Sequence, residues 1–410
     1  MKFAPALLGL FAVFCSPVFA EDWPQWRGPN RTGLSQETGL MQEWPEGGPK
    51  VVWKAENVGS AYATVSVANG RVFTQGNVGE EGRIQCYDEK TGDLIWSVRP
   101  PREKKVFTHG KGDGPRGTPT VDGDLVYCEG GEGSVTCLKA ASGEVVWSVH
   151  LVEDFGGKRP GWGFSESPLV DGEKLIVTPG GKDGAIAALN KLTGEVIWRS
   201  TDVTDPAHYC SAVAADIEGV HQFIQFTRNR LVSVDAKDGG LLWDYAESAN
   251  GTANVATPIV KGNHVFSSSG YGTGGGLVKV TKNGDEFTAE EVYFQKPMAN
   301  HHGGIVLVGD HMYGFGSGGL ICMEFLTGEI AWRDRSVNKG SLCYADGQLY
   351  CFGERNKMAL ASANPNEYEE HGRFDTPDSG KSTWAHPVVA NGRLYLRDQD
   401  TLTVYEVKTK

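Results

Sequence analysis

The chain has 410 residues and a formal net charge of −12 at pH 7. This acidity argues against nucleic acid and against an anionic membrane surface as partners. The length fits two or three ordinary domains or one large closed all-β fold. No segment after residue 20 is apolar over enough residues to span a bilayer.

The first twenty residues are predicted to be a cleaved export signal. Lys2 precedes an apolar run at residues 3–15, and the cleavage site Val18-Phe19-Ala20 stands before Glu21. A lipid anchor needs a small residue before its cysteine, whereas Phe14 precedes the cysteine at position 15. We therefore expect a soluble periplasmic or secreted protein that begins at residue 21.

Residues 21–47 are predicted to be an extension that packs on the main fold. The segment EDWPQWRGPNRTGLSQETGL, residues 21–40, has two tryptophans and two arginines but no strand alternation. We expect it to lie across one face of the fold, with Trp23 and Trp26 as packing residues. A lid over a central channel is the alternative.

A six-residue tail ending in tryptophan recurs along the rest of the chain. Its copies are TGDLIW (91–96), SGEVVW (142–147), TGEVIW (193–198), DGGLLW (238–243) and TGEIAW (327–332). Eight short turns with glycine as their second residue separate β-rich runs, and those glycines are 38 to 53 residues apart. This period is typical of four-stranded propeller blades and is too irregular for a solenoid.

One blade can be read directly from residues 166–200. Four strands, SPLV, KLIVTP, AIAALN and EVIWRS, are joined by turns that contain glycine. Gly194 is expected to take a positive φ in the last turn, and Trp198 is expected to wedge between neighbouring blades. Blades five and seven lack the tryptophan, and we expect Phe294 and Phe374 to replace it.

The last blade is one strand short at the C-terminus. The chain ends on TLTVYEVKTK, which is a third strand, whereas residues 48–59, GPKVVWKAENVG, read as another tryptophan tail with Trp53 in the anchor position. An N-terminal outer strand would close the ring and remove exposed sheet edges. The sequence therefore predicts an all-β chain whose residues 48–410 form one eight-bladed β-propeller of four-stranded antiparallel blades.

Seven cysteines follow the predicted signal, at positions 86, 128, 137, 210, 322, 343 and 351. They form neither a CxxC metal pair nor a CxxCH haem site. Most are expected to be small buried side chains in strands. Cys128 with Cys137, or Cys343 with Cys351, could instead form hairpin disulfides in an oxidising compartment.

Residues just before the first strand of each blade converge on one mouth of a propeller channel. Here they are Tyr62, Arg116, Glu166, His208, Ser211, Asn254, His301, His302, Lys339, Ser341, Trp384 and His386. Arginine, lysine and several histidines on one rim of an acidic protein predict a funnel that attracts anions. The alternative is that this rim is polar only because channel mouths are hydrated.

Neither a metal site nor a familiar catalytic motif stands out. His301 and His302 are adjacent, so on a strand they would point to opposite faces and could not share one ion. Trp384 and His386 would share a face, which suits stacking and a hydrogen bond to a flat ligand. The glycine-rich stretch GYGTGGG, residues 270–276, is expected to be a turn rather than a phosphate cradle, because no helix follows it.

The chain resembles secreted bacterial proteins with pyrroloquinoline quinone (PQQ)-like propeller repeats, of the quinoprotein alcohol dehydrogenase-like superfamily. The resemblance is carried almost end to end by strings such as DWPQWRGPNRTG, ALNKLTGEVIW, SESPLVDGEKLIVTPGG, NHHGGIVLVGDHMYG and LYLRDQDTLTVYEV. The same repeat occurs in quinoprotein alcohol dehydrogenases and in non-catalytic propellers such as the outer-membrane assembly scaffold. The resemblance therefore implies the fold more directly than the function.

The resemblance implies two alternative functions. The dehydrogenases carry an adjacent cysteine pair and a catalytic aspartate motif, and this chain matches neither. We therefore expect a monomeric binding scaffold that takes a small anionic ligand or an exported protein partner at the channel mouth. The alternative is a PQQ- and calcium-dependent oxidoreductase of alcohols or sugars. In it the quinone would lie near Trp384, Arg116 and Lys339 would hold its carboxylates, and Glu166 and Asn254 would bind calcium.

Overall fold

The computed structural model describes residues 21–110 and 112–409, so the predicted signal at residues 1–20 lies outside the described residues. The described part of the chain contains thirty-three β-strands. Among the same residues there is no helix with the length and apolar character needed to cross a membrane.

Two strands precede the first blade: β1 (Leu34–Ser35) and β2 (Val51–Glu56). Blade 1 contains β3 (Ser66–Ala68), β4 (Arg71–Val78), β5 (Glu81–Asp88) and β6 (Leu94–Val98). Blade 2 contains β7 (Thr120–Asp122), β8 (Leu125–Glu129), β9 (Ser134–Lys139) and β10 (Val145–His150). Blade 3 contains β11 (Leu169–Asp171), β12 (Lys174–Val177), β13 (Ala187–Asn190) and β14 (Val196–Arg199). Blade 4 contains β15 (Val213–Ile217), β16 (Val220–Phe226), β17 (Leu231–Asp235) and β18 (Leu241–Tyr245).

Blade 5 contains β19 (Ile259–Lys261), β20 (His264–Ser269), β21 (Gly274–Asn283) and β22 (Glu286–Gln295). Blade 6 contains β23 (Val306–Val308), β24 (His311–Gly316), β25 (Gly319–Glu324) and β26 (Ile330–Asp334). Blade 7 contains β27 (Gly340–Ala345), β28 (Gln348–Gly353), β29 (Lys357–Ser362) and β30 (Glu370–Asp375). Blade 8 contains β31 (Val388–Ala390), β32 (Arg393–Asp398) and β33 (Thr401–Glu406), and β2 is its fourth strand.

The strand order confirms the predicted eight-bladed propeller. Within each blade, successive strands pair antiparallel, and the first strands of neighbouring blades lie side by side, as β3 does with β7 and β7 with β11. The first strands are therefore innermost and surround the channel. Strand β2 pairs antiparallel with β33, with Trp53 opposite Val404, so the N-terminal strand closes the ring as the sequence predicts.

Four of the five tryptophan tails hydrogen-bond the next blade through the indole, whereas Trp243 donates to Gln222 in its own blade at 2.8 Å. Nε1 of Trp198 donates a hydrogen bond to the backbone oxygen of Ala236 at 3.3 Å, and Trp96 and Trp332 make equivalent bonds to Ala140 and Asn364. Gly194 has a φ of 77°. The predicted roles of Gly194 and Trp198 are both confirmed, because this turn needs a left-handed backbone and the indole spans to the neighbouring blade.

In blade 5 the anchor is Tyr293, so the prediction of Phe294 is wrong. The Tyr293 hydroxyl donates to the backbone oxygen of Phe325 in blade 6 at 2.8 Å. A bulge between Leu277 and Val278 sets the register that puts Tyr293 in the position of the tryptophan. In blade 7, Phe374 is buried and lies over Gly48 in the turn before β2, in line with the prediction.

All seven cysteines after residue 20 are buried and unpaired. Cys128 lies opposite Thr136, and Cys343 lies opposite Tyr350. Each proposed partner is therefore one residue out of register and points to the other face of its sheet. Neither hairpin disulfide forms, and the expectation of buried free thiols is the correct one.

The segment before β2 enters the channel from the face that carries the first turn of each blade. Glu37 accepts hydrogen bonds from the backbone of Asn391 and Gly392, and the backbone nitrogen of Leu40 donates to Asp346 at 2.8 Å. Strand β1 runs parallel to β27 as a fifth strand of blade 7, which the sequence did not predict. The C-terminal tail also pairs with this segment, since the backbone nitrogen of Thr409 donates to Gly39 at 2.9 Å.

Two buried arginines tie the same segment to the inner strands. Arg31 donates from Nη1 to the backbone oxygens of Ser167 at 3.0 Å and Ala212 at 2.9 Å, and from Nη2 to that of Pro168. Arg27 donates to the backbone oxygens of Thr32 at 2.7 Å and Ile305. The segment therefore blocks the channel on this face and leaves a cavity that opens at the opposite mouth.

Candidate functional site

A cavity of about 480 Å³ occupies the mouth end of the channel, within the size range of small-molecule sites. Its lining residues are Trp26, Tyr62, Arg116, Trp162, Ser165, Tyr209, Ser211, Thr252, Ala253, Val255, Tyr271, His301, His302, Lys339, Trp384 and His386. Most of them belong to loops that lead into a first strand. The cavity is thus built by many blades around one axis.

The structure brings together eight of the twelve residues selected from the sequence. Those that line the cavity are Tyr62, Arg116, Ser211, His301, His302, Lys339, Trp384 and His386. Glu166, His208, Asn254 and Ser341 are buried elsewhere in the channel wall. The eight residues are close enough to act on one ligand, whereas the other four are not in contact with the cavity.

Four aromatic residues of the cavity were not selected from the sequence. Trp26 comes from the N-terminal segment, where it donates from Nε1 to Thr257 at 2.9 Å and packs on His386 with ring centroids 4.4 Å apart. Trp162 lies in the long loop between β10 and β11, Tyr271 lies in the short turn between β20 and β21, and Tyr209 directly follows the selected His208. Of these four, only Tyr209 could have been selected from the sequence, because it stands just before the first strand of a blade.

Aromatic side chains follow one another around the cavity wall. The centroid distances are 4.5 Å for Tyr62–Trp384, 5.9 Å for Trp384–His302, 4.7 Å for His302–His301, 4.8 Å for His301–Tyr271, 6.3 Å for Tyr271–Trp162 and 5.4 Å for Trp162–Tyr209. Such distances lie within the range of ring packing. The wall therefore offers ring faces and edges on several sides of a ligand.

The side chains of His301 and His302 do not point to opposite faces, contrary to the sequence expectation. Both residues lie in a bend before β23, and their rings meet edge to face. The expectation assumed an extended strand, which begins only at Val306. Among residues 21–110 and 112–409, no three His, Cys, Asp or Glu side chains are grouped so that they could hold a metal ion.

The histidines of the cavity are neutral at pH 7. Burial lowers the pKa of His301 to about 4 and that of His386 to about 3, and it lowers the pKa of His302 well below its usual range. Nε2 of His386 donates to the backbone oxygen of His302 at 2.8 Å, as expected for a neutral ring. The positive charge of the cavity therefore comes from Arg116 and Lys339 rather than from imidazolium.

Arg116 is held between two rings. Its guanidinium carbon lies 5.2 Å from the centroid of Tyr62 and 5.3 Å from that of Phe107, which is a cation–π arrangement on both sides. Its hydrogen bonds are long, at 3.3 Å to the backbone oxygen of Gly112 and 3.4 Å to that of Gly114. Within the described part of the chain, no carboxylate forms an ion pair with it. Burial lowers the pKa of Arg116, but an arginine remains charged at pH 7.

Lys339, in contrast, already has a partner. Its Nζ lies 3.0 Å from Oε2 of Glu354, and the same carboxylate oxygen is 3.4 Å from Nε2 of His302. The Ser382 hydroxyl donates to the other oxygen of Glu354 at 3.4 Å. Lys339 therefore contributes less uncompensated charge to the cavity than Arg116 does.

The two residues considered for calcium are engaged inside the wall. Oε1 of Glu166 accepts from Nε2 of Gln225 at 3.0 Å, and burial raises the pKa of Glu166 to about 7. Asn254 donates to the backbone oxygens of Thr227 and Arg228 and accepts from the backbone nitrogen of Asn250. Neither side chain lines the cavity, so the residues present do not fit a calcium-assisted quinone site there.

A protein-family model described as "Outer membrane protein assembly factor BamB" (PQQ_2) matches residues 80–334. The chain belongs to this family. It is similar to outer membrane protein assembly factor BamB of Shewanella oneidensis, with 25% identity over 336 residues that cover 68% of this chain and 81% of the relative. It is also similar to the dehydrogenase subunit of the quinone alcohol dehydrogenase of Gluconobacter oxydans, with 27% identity over 164 residues. That match covers 37% of this chain and 21% of the relative, so it spans only about a fifth of the enzyme subunit.

Solved structures show the same two kinds of propeller. BamB from Moraxella catarrhalis superposes with a TM-score of 0.62 at 15% identity, covering 88% of this chain and 98% of that one. Quinohemoprotein alcohol dehydrogenase from Comamonas testosteroni superposes with a TM-score of 0.64 at 14% identity, covering 95% and 81%. At these identities the structural similarity shows a shared fold only. It is equally compatible with a scaffold and with a dehydrogenase.

Proposed function

We propose that this propeller is an exported, non-catalytic binding protein that takes a small anionic ligand into the cavity at the channel mouth. The observation that carries the proposal is Arg116, a charged side chain in an aromatic cavity with no carboxylate partner among the described residues. A half-buried cation without a counter-ion is partly desolvated, and an anionic ligand would supply the missing charge.

The shape of the cavity supports a small ligand rather than an extended surface contact. The N-terminal segment blocks the far end of the channel, and Trp26 from that segment lines the cavity. A ligand that enters the mouth would be enclosed by ring faces, with Arg116 and Lys339 fixing its charged groups. Protein partners remain the alternative that the similarity to assembly factors favours, and they would bind the rim without filling the cavity.

The test compares a charged ligand with its uncharged analogue and uses PQQ as a second anion. Benzene-1,3,5-tricarboxylate, its uncharged triamide and PQQ are titrated into the protein by calorimetry at low salt, with and without added calcium. We expect both anions to bind and the triamide to bind at least tenfold more weakly. Equal affinity for the charged and uncharged forms, or no binding of either anion, would remove the proposal. Calcium-dependent reduction of a dye by PQQ and an alcohol would favour the oxidoreductase instead.

The matched variants are Arg116→Ala and Arg99→Ala. Arg99 is an exposed arginine 3.4 Å from Glu81, outside the cavity. Loss of a charge-assisted hydrogen bond typically costs about 1.5–3 kcal/mol, so Arg116→Ala should weaken tricarboxylate binding roughly tenfold to a hundredfold. Arg99→Ala should leave it unchanged. Equal effects of the two variants would show that the anion responds to net charge rather than to Arg116.

A further inference from the structure

The turn between β20 and β21 is built to hold one aromatic ring at the edge of the cavity. It carries Tyr271 between Gly270 and Gly272, within the stretch GYGTGGG. Tyr271 has a φ of 56°, in the left-handed region that a bulky side chain rarely adopts. Strain of this kind persists where the surroundings enforce it, and it is often found at ligand sites.

Several contacts fix the position of this ring. Tyr271 lies nearly parallel to Trp162, with an interplanar angle of 20°, and packs against His301. A Cβ atom at Gly270 would stand 3.1 Å from the Cα of His301, so glycine permits this close approach. Tyr271 is nevertheless 52% exposed, and it lines the cavity.

About half of the Tyr271 surface is left exposed by these contacts. The turn could satisfy its backbone with asparagine or glycine, which tolerate positive φ, and would then lose the strain. Tyrosine instead adds an amphipathic ring at the mouth, beside a second depression of about 310 Å³ that also contains Lys339 and Ser317. A ring in this position can cover one face of a ligand whose charge is held by Arg116.

We propose that Tyr271 is a ligand-stacking residue that selects ligands with a flat ring. This inference rests on the proposed function, since it concerns the same anionic ligand. The ring of Tyr271 covers the ligand's exposed face, and the strained turn keeps the ring in place before the ligand arrives. Binding is favoured because the Tyr271 ring loses little conformational freedom when the ligand arrives.

The experiment separates ring stacking from turn structure. Benzene-1,3,5-tricarboxylate and cyclohexane-1,3,5-tricarboxylate carry the same charges on a flat and a puckered ring. Both are titrated into the full protein and into Tyr271→Asn, Tyr271→Gly and Tyr271→Phe. We expect the asparagine and glycine variants to lose roughly fivefold to tenfold in affinity for the flat ligand and less than twofold for the puckered one. Tyr271→Phe should stay within twofold of the wild type.

Thermal stability provides the second readout. If Tyr271 serves the ligand, Tyr271→Gly and Tyr271→Asn should melt at the same temperature as the wild type or slightly above it, because they relieve a strained φ. The control is Glu218→Gly, which relieves a φ of 51° in a turn away from the cavity. Its melting temperature should likewise equal or slightly exceed that of the wild type. Its affinity for the flat ligand should be unchanged.

The outcomes are distinguishable. Unchanged flat-ligand affinity in Tyr271→Asn, with binding still dependent on Arg116, would overturn the inference and leave the proposed function standing. A fall in melting temperature with unchanged selectivity between the two rings would assign Tyr271 a structural role. Failure of both tricarboxylates and of PQQ to bind would overturn the inference and the proposed function together.

Discussion

The indole of Trp147 in blade 2 lies against Gly194 in blade 3. A Cβ atom at Gly194 would stand 2.8 Å from the ring, and Nε1 of Trp147 donates to the backbone oxygen of Lys191 in the same turn at 2.9 Å. The glycine of one tail and the tryptophan of the preceding tail therefore form one contact. This pairing explains why both residues recur together in the sequence.

Gly194→Ala is expected to destabilise the protein by about 2–4 kcal/mol. The new methyl group would collide with the indole, and alanine would also have to adopt a φ of 77°. The matched control is Gly172→Ala, whose φ is 56° but whose Cβ would meet no atom within 4 Å. It should cost only about 1 kcal/mol. Urea unfolding measures both values, and equal losses would mean that the ring contact contributes nothing.

The fold could be predicted from the sequence because its contacts are local and repeated. Each blade needs a tight turn with glycine and an anchor ring at fixed spacing, so eight turns and five tails were enough to count the blades. The anchor Tyr293 was missed because β21 and β22 have ten residues each, so the turn glycine Gly284 does not stand four residues before the anchor as Gly194 does before Trp198.

The site was less predictable because it depends on loops and on side-chain direction. Position before a first strand was enough to find Arg116 and Trp384, but it could not show that Glu166 and Asn254 turn into the wall. Trp26 reaches the cavity only because Arg27 and Arg31 fix its segment in the channel. Docking of this segment depends on contacts between residues that are more than a hundred positions apart in the sequence. No local sequence pattern therefore predicts it.

Arg31→Ala is expected to destabilise the protein by about 3–5 kcal/mol. The side chain is buried and donates to the backbone oxygens of Ser167, Pro168 and Ala212. The Thr120 hydroxyl also donates to Pro168, whereas Ser167 and Ala212 would lose the donor that Arg31 supplies. Arg99→Ala, which removes only an exposed ion pair, should cost less than about 1 kcal/mol. Chemical unfolding followed by tryptophan fluorescence gives both values. A loss as small as that of Arg99→Ala would show that the segment adds little to stability.

His386 is expected to make the protein less stable in acid. Burial lowers its pKa from 6.5 to about 3, so the unfolded chain binds a proton in this interval and the folded chain does not. The contribution of His386 to the free energy of unfolding is therefore fully present above pH 6.5. It falls by up to about 1.4 kcal/mol per pH unit as the pH drops towards 3.

The measurement is the free energy of unfolding of the wild type and His386→Gln between pH 4 and 6. Glutamine can still donate to the backbone oxygen of His302, but it does not titrate. Glu166, whose pKa is raised to about 7, acts in the opposite direction, so the difference between the two proteins is the useful quantity. The free energy of unfolding of the wild type minus that of His386→Gln should decrease towards low pH. Parallel curves would contradict the neutral state assigned to the buried ring.

The cysteines are expected to be unreactive in the folded protein and fully reactive after unfolding. Burial raises the pKa of Cys322 to about 11 and that of Cys351 to about 12, and the other five thiols are shifted in the same direction. Because the thiolate is the reacting species, a disulfide reagent at pH 8 should find almost none of the thiols accessible. In denaturant without reductant, a chain that begins at residue 21 should release seven equivalents of the coloured thiolate. Five equivalents would indicate one disulfide, and rapid reaction in the native state would show that the strands around these residues open readily.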